Sequence, residues 1–177
     1  MSQSATLYRV SQNTFNQLLN PDNKQKFDIN SAKSHSVFQG SFMGLEYILS
    51  KGQDNSTIEL VNEIFNPKQS VGGQNFKSLT PDEQFEFYES GLIIPYLDIP
   101  TISKLYDSLA NISQADIGSK YDAKDLNDNG IYPEVWHNDN SPGQSYNEQH
   151  LLKDYEELKT IIKHADNEQD YILVFIG

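Results

Sequence analysis

The chain has no cysteine, a single arginine (Arg9), one tryptophan and two methionines among 177 residues. Without cysteine there can be no disulfide, no thiolate metal ligand and no sulfur nucleophile, a usage that fits a reducing, cytoplasmic setting. Scarce arginine removes the bidentate groups that grip phosphate best. With 25 acidic against 13 basic residues, the formal net charge is −12. A field of that sign repels polyanions, so neither nucleic acid nor an anionic membrane is an expected partner. No apolar run approaches the ~20 residues of a spanning helix. The opening "MSQSATLYRV" lacks a basic n-region and an apolar h-region, so no signal peptide is expected and the cytoplasm is the expected location.

What is present is enough for one core. Hydrophobic residues make up 37%, with 9 Phe and 10 Tyr, and a chain of this length suits one compact domain over residues 1–177. "ATLYRVS" alternates as a strand, with Leu7 and Arg9 opposite Tyr8 and Val10. Ser11 is placed to cap a short helix, "QNTFNQLL". "PDNKQKFDINSAKSHS" is polar and loop-like. Phe42, Leu45, Ile48 and Leu49 share a helical stripe, whereas "STIELVNEIFNP" is ambiguous between helix and strand. Thr80-Pro81 is expected to start a brief helical turn, with Asp82 and Glu83 near its positive end. Ile102, Leu105, Tyr106, Leu109 and Ile112 mark an amphipathic helix.

Near the C-terminus, "HNDNSPGQS" reads as a mobile surface loop near residues 137–145. Ser145 and Glu148 then form an S-x-x-E capping box. It opens the strongest helix, striped by Leu151, Tyr155, Leu158, Ile162 and Ala165. The terminal "YILVFIG" is too apolar to lie anywhere but inside, most simply as a central strand. These elements predict an α+β domain: a small mixed or antiparallel sheet that includes both terminal strands, packed with several helices.

"DLNDNGIYPEVW", Asp125 to Trp136, imitates a calcium loop, with Asp125, Asn127 and Asn129 at alternate positions and Gly130 at the turn. The twelfth position should hold a bidentate carboxylate, and it holds Trp136. The stretch is therefore expected to bind no metal. It reads instead as a turn at residues 127–130 that delivers "IYPEVW" as an extended segment, anchored by Tyr132 and Trp136. The four histidines lack an H-E-x-x-H spacing, and "SVGGQNF" lacks the pattern of a phosphate loop. No cofactor is implied, and no catalytic set stands out.

The order "YDAKDLNDNGIYPEVW", then "LLKDYEELKTIIKHA", then "YILVFIG" resembles the bacterial YfbM-like family, domain of unknown function 1877. "FMGLEYILSKG" is similar to that family's "W-x-x-x-H-x-L-L-x-G" helix, with Phe42 and Glu46 standing where the family often has Trp and His. The resemblance implies a single intracellular α+β domain and supplies no established activity and no site residues.

Two readings of function follow. In the first, the chain is a non-enzymatic binding protein, of the immunity or inhibitor type, whose acidic face meets a basic partner such as a toxin. Its candidate contacts are Glu134, Asp139 and, on the exposed side of the last helix, Asp154 and Glu157, with Trp136 as a nearby aromatic anchor. In the second, it is a small-molecule-binding domain or an enzyme whose site lies near Tyr132–His137, with Glu134 and Trp136 in the lining.

Overall fold

A computed structural model describes residues 3–20, 27–72, 80–82, 93–141 and 143–177. The strands are β1 (Ser4–Val10), β2 (Ser34–Gln39), β3 (Gln69–Val71), β4 (Ile94–Leu97) and β5 (Tyr171–Ile176). They form one sheet in the order β2-β1-β5-β4-β3, with every pairing antiparallel. The two terminal strands are therefore neighbours, and the last one is central. Leu7 faces Val174 and Tyr8 faces Leu173 across that junction. The ends are tied by Gly177 N–H donating to Ser4 O at 3.0 Å.

The alternation of each strand decides what lies on either face. On one face Ala5, Leu7, Phe38, Leu97, Ile172 and Val174 are buried beneath helices α2 (Phe42–Ser50), α4 (Ile99–Ala110) and α7 (Glu148–Glu168). Leu45, Ile102, Leu105, Leu158 and Ile162 complete this core. On the other face Val10, Ile94 and Leu173 meet Phe15 of α1 (Gln12–Leu19), with a rim of half-buried Tyr8, Tyr171 and Phe175. Each such side chain is worth roughly 1.5–3 kcal/mol when removed from water. The core is therefore ample for a fold whose net stability is a small difference between large terms.

The stripes expected on α2 and α7 are the buried ones, Phe42, Leu45, Ile48 and Leu49 in the first and Leu151, Tyr155, Leu158, Ile162 and Ala165 in the second. "STIELVNEIFNP" resolves as a helix, α3 (Asn55–Asn62), begun by Asp54 accepting from Thr57 N–H at 2.9 Å. β2 is a correction in its first half, because residues 34–36 belong to a stretch read as loop. "SHSVFQ" has one fully buried residue, Phe38, and it becomes a strand because β1 offers a free edge beside it. Residues 21–26 of that polar stretch lie outside the described residues, as do residues 73–79 of the double-glycine segment and Glu83. Pro81 and Asp82 are helical. The capping residue of α7 also differs from expectation. It is Asn147 rather than Ser145, because Asn147 Oδ1 accepts from His150 N–H at 2.9 Å while Nδ2 donates to Asp139 O at 2.9 Å and Gln144 O at 3.0 Å.

Candidate functional site

The calcium-like stretch starts inside a helix. Asp125 and Asn127 belong to α6 (Ala123–Asp128), and at 3.6 residues per turn two such residues project from opposite sides and cannot share an ion. Each has separate work. Asp125 Oδ2 accepts from Lys51 Nζ at 2.8 Å and from the Tyr47 hydroxyl at 3.0 Å, which fastens α6 to α2. These partners hold the Asp125 carboxyl below the usual range, the Lys51 hydrogen bond most of all. Asn127 grips a backbone: its Oδ1 accepts from Trp136 N–H at 2.9 Å and its Nδ2 donates to Trp136 O at 3.0 Å. Among the described residues no group of three or more histidine, aspartate or glutamate side chains is arranged to hold a metal ion.

The expected extended delivery of "IYPEVW" is also corrected. The segment is a turn, with a cis Tyr132-Pro133 bond and Glu134 at φ 62°. Glu134 N–H donates to Ile131 O at 2.9 Å, and Trp136 Nε1 donates to the same oxygen at 2.8 Å. Trp136 is 3% exposed, its ring lying directly against Gly44 of α2, where any Cβ would collide with it. Gly44 is thus a requirement of the tryptophan, and the pair of them seats the turn against α2.

Above Trp136 sits Tyr146, edge-on with ring centroids 5.8 Å apart. It occupies a niche over Gly40, where a Cβ would come 2.8 Å from the phenol oxygen. Tyr146 is itself left-handed, with φ 56°, and its N–H donates to His150 Nδ1 at 3.2 Å. Behind His150 lies Asp154, 4% exposed. Asp154 takes a hydrogen bond from the hydroxyl of fully buried Ser41, and Oδ2 stands 3.8 Å from His150 Nε2. Burial pushes the Asp154 carboxyl up, against the pull of the Ser41 hydroxyl and His150. Ser41 contacts the acid and not the imidazole, so the three side chains do not form a nucleophile–base pair.

The nominated contacts are therefore split by the fold. Glu134 and Asp139 are exposed and Glu157 is half-buried on α7. Asp154 and Trp136 are corrected: both point into the protein, Asp154 because it faces Ser41 and Trp136 because it fills the space at Gly44. Nor do Tyr132, Glu134, Trp136 and His137 converge. Tyr132 receives Gln3 N–H at 3.2 Å, Trp136 is inside, and His137 runs along the surface with its N–H on Tyr146 O at 2.9 Å. An open cleft of about 530 Å³ lies beside that segment instead, with Asn140, Gln144, Gln149, His150 and Lys153 in its lining. Sequence reasoning missed Ser41 and His150. The i, i+4 spacing of His150 and Asp154 is visible in one dimension, whereas Ser41 is 113 residues away.

A second missed group is Glu46, whose carboxyl burial pushes up to about 7. With its amide nitrogen turned inward, Asn62 of α3 donates to Glu46 Oε1 and to Ile58 O, each at 3.2 Å.

Along the seam between α5 (Gln114–Lys120) and α7 the carboxylates collect. Tyr121, at the end of α5, is pushed up to about 12, by burial first and then by the charges of Glu148 and Asp122. Tyr155 is raised by burial and then by Glu156 and Asp116. Asn140 Nδ2 donates to Glu148 Oε2 at 3.2 Å, which brings Asp139 to the same end of the seam.

The family model described as a domain of unknown function, DUF1877, matches residues 1–175. The chain belongs to that family. Among solved structures it is similar to that of YfbM, a protein of unknown function from Escherichia coli, at 17% identity and a TM-score of 0.62, with 100% of both chains covered. At that identity the likeness carries the fold alone. No curated protein matches the chain. Among the described residues no helix is long and apolar enough to cross a membrane.

Proposed function

We propose that this DUF1877 chain is a non-enzymatic protein-binding module, of the immunity or inhibitor type, that presents an acidic face to a basic partner in the cytoplasm. The observation that carries the reading is the α5–α7 seam, where Asp116, Asp122, Glu148 and Glu156 lie close enough to act on two tyrosines. Asp139 and Glu157 extend this field, and Glu134 stands on the turn next to it in sequence. Such a field speeds encounter with a basic surface and weakens as salt rises. The buried acid, Asp154, is occupied with Ser41, and Asp125 with Lys51 and Tyr47. The seam carboxylates lie nearer the surface, with Asp116 also accepting from Ser113 and Glu148 from Asn140.

The test is affinity capture from native extract at low and at physiological salt, with the wild-type chain and an Asp116→Lys/Glu156→Lys variant as paired baits. A basic protein retained by the first and lost by the second is the expected result. Equal retention of the same proteins by both baits would sink the acidic-face reading.

A further inference from the structure

We propose that His150 is a proton-operated latch: its neutral imidazole holds the left-handed backbone of Tyr146, and protonation exchanges that hold for an ion pair with Asp154, freeing Tyr146 from its seat on Trp136. A tyrosine at φ 56° sits in a region that costs an L-residue on the order of 1–2 kcal/mol, so it stays there only while its surroundings insist. One of those surroundings is the hydrogen bond from Tyr146 N–H to His150 Nδ1, 3.2 Å long. The others are the Gly40 niche, the ring contact with Trp136, and hydrogen bonds to Tyr146 O from His137 N–H at 2.9 Å and the Tyr121 hydroxyl at 3.4 Å.

An imidazole accepts at a nitrogen only through its lone pair, and the imidazolium has none, since both of its nitrogens are donors. Accepting at Nδ1 fixes the neutral tautomer with its proton on Nε2, directed at Asp154. When a second proton arrives at Nδ1, it meets the Tyr146 N–H head-on and that hydrogen bond must break. In exchange, the cation gains the carboxylate of Asp154, whose Oδ2 is 3.8 Å from Nε2. That spacing is too long for a hydrogen bond and short enough for a strong attraction to a charge.

The other charged groups at this place do not take over either role. Lys153 lines the same cleft as His150, and Glu157, one turn further on, acts on Asp154. Glu148 is turned to Asn140, and the Tyr121 hydroxyl donates to His137 O at 2.6 Å. Ser41, the contributor from the junction of β2 and α2, is neutral and faces Asp154. His150 also lines the open cleft, so solvent protons reach it without unfolding. Histidine is the side chain that ordinarily changes charge between pH 5 and 8. Tyr146 O accepts from His137 N–H at 2.9 Å, so release of Tyr146 also loosens that hydrogen bond.

Trp136 is the chain's only tryptophan, which makes the latch readable without labels. The experiment follows the full chain from pH 8 to pH 5 by NMR and tryptophan emission. As the His150 ring signals titrate, exchange of the Tyr146 amide, relative to its intrinsic rate, should accelerate about tenfold, the value of one lost hydrogen bond. Trp136 emission should change with the same midpoint. His150→Gln keeps an acceptor and cannot titrate, so its emission should stay flat over the same range. A Tyr146 amide that remains equally protected while His150 titrates overturns the proposal, as does an unchanged emission transition in His150→Gln. Because the exchange measurement is made on the wild-type chain, it decides the matter even if the variant fails to fold.

Discussion

The two ends of α7 each sequester an aspartate, and they do so in opposite ways. At the C-terminal end Asp170 is 2% exposed and meets two cations, with Arg9 Nη1 at 3.3 Å and Lys33 Nζ at 2.9 Å from its oxygens. Glu168 joins the same cluster, 3.0 Å from Arg9 and 2.8 Å from Lys33. At the N-terminal end Asp154 is buried almost as deeply, and its hydrogen-bond donor is the neutral hydroxyl of Ser41. One helix thus carries an acid held by a hydroxyl and leads into an ion-paired acid just past its end. The hydrogen bonds of Lys33 and Arg9 hold Glu168 down at about 2, while burial pushes Asp154 up. The difference follows the surroundings: Glu168 stands half-exposed among two cations, whereas Asp154 is buried beside a neutral donor.

The sharpest way to break the contrast is to take the cation from the paired end. Arg9→Met keeps an unbranched apolar stem and removes the charge, leaving Asp170 with Lys33 alone. Removing one partner of a buried pair costs about 3–5 kcal/mol. Arg9 Nη1 also donates to His164 O at 3.3 Å, so the last turn of α7 loses an anchor as well. Urea unfolding of the variant should show a loss of that size, and a loss below about 1 kcal/mol would mean that the pair contributes little net stability.

Acid should separate the two ends next. Glu168 has a folded-state value near 2, below its ordinary 4.5. Its contribution is therefore present above about 4.5 and is lost as the pH falls toward 2. Asp154 is displaced upward from 3.8, so its penalty is absent below 3.8 and grows as the pH rises through its folded value. Thermal unfolding of Glu168→Gln against wild type should show a deficit at pH 6 that closes toward pH 2. A deficit independent of pH would place the role of Glu168 in packing rather than in charge.

The paired end was poorly legible in one dimension, although its frame was not. Both terminal strands and the stripe of α7 follow from alternation and from the apolar run "YILVFIG", because those patterns are local. The cluster of Arg9, Lys33, Glu168 and Asp170 joins β1, the approach to β2 and the turn after α7, and no spacing rule links positions 9 and 170. Trp136 was correctly valued as an anchor, yet its direction was hidden. Gly44, the residue that makes room for it, looks in sequence like any glycine within a helix. Asp154 was misjudged because a carboxylate in an acidic helix is usually solvated. Its burial depends on Ser41, at the junction of β2 and α2 and 113 residues away in the chain.

The N-terminal end offers a smaller change of opposite sign. Asp154→Asn is nearly isosteric, and its amide oxygen still accepts from Ser41. The substitution removes the ionised form that burial disfavours. At pH 7 the variant should be more stable than wild type by on the order of 1 kcal/mol, and the gain should vanish below about pH 4, where wild-type Asp154 is itself protonated. Differential scanning calorimetry at pH 7 and pH 4 reads this directly. Destabilisation at both values would show that His150 and Asp154 already form a pair that outweighs the cost of burial.

Beside Asp154, at the surface of α7, lies a pair that should count for least in stability and most in recognition. Lys153 Nζ is 3.9 Å from Glu157 Oε1, with the two side chains 75% and 39% exposed. At that exposure the attraction is screened by water and salt, and i, i+4 pairs of this kind contribute about 0.3–0.5 kcal/mol. Glu157→Lys should therefore leave the unfolding midpoint within that margin, since none of the core is touched. It does reverse a charge on the face proposed to steer a basic partner. Association with such a partner should slow markedly at low salt and differ little at high salt, while dissociation, governed by short-range packing, changes less. Stopped-flow binding alongside urea unfolding separates the outcomes. An unchanged on-rate with an unchanged midpoint removes Glu157 from the interface, and a large loss of stability would mean that this surface pair, unlike others of its class, belongs to the structural core of the helix.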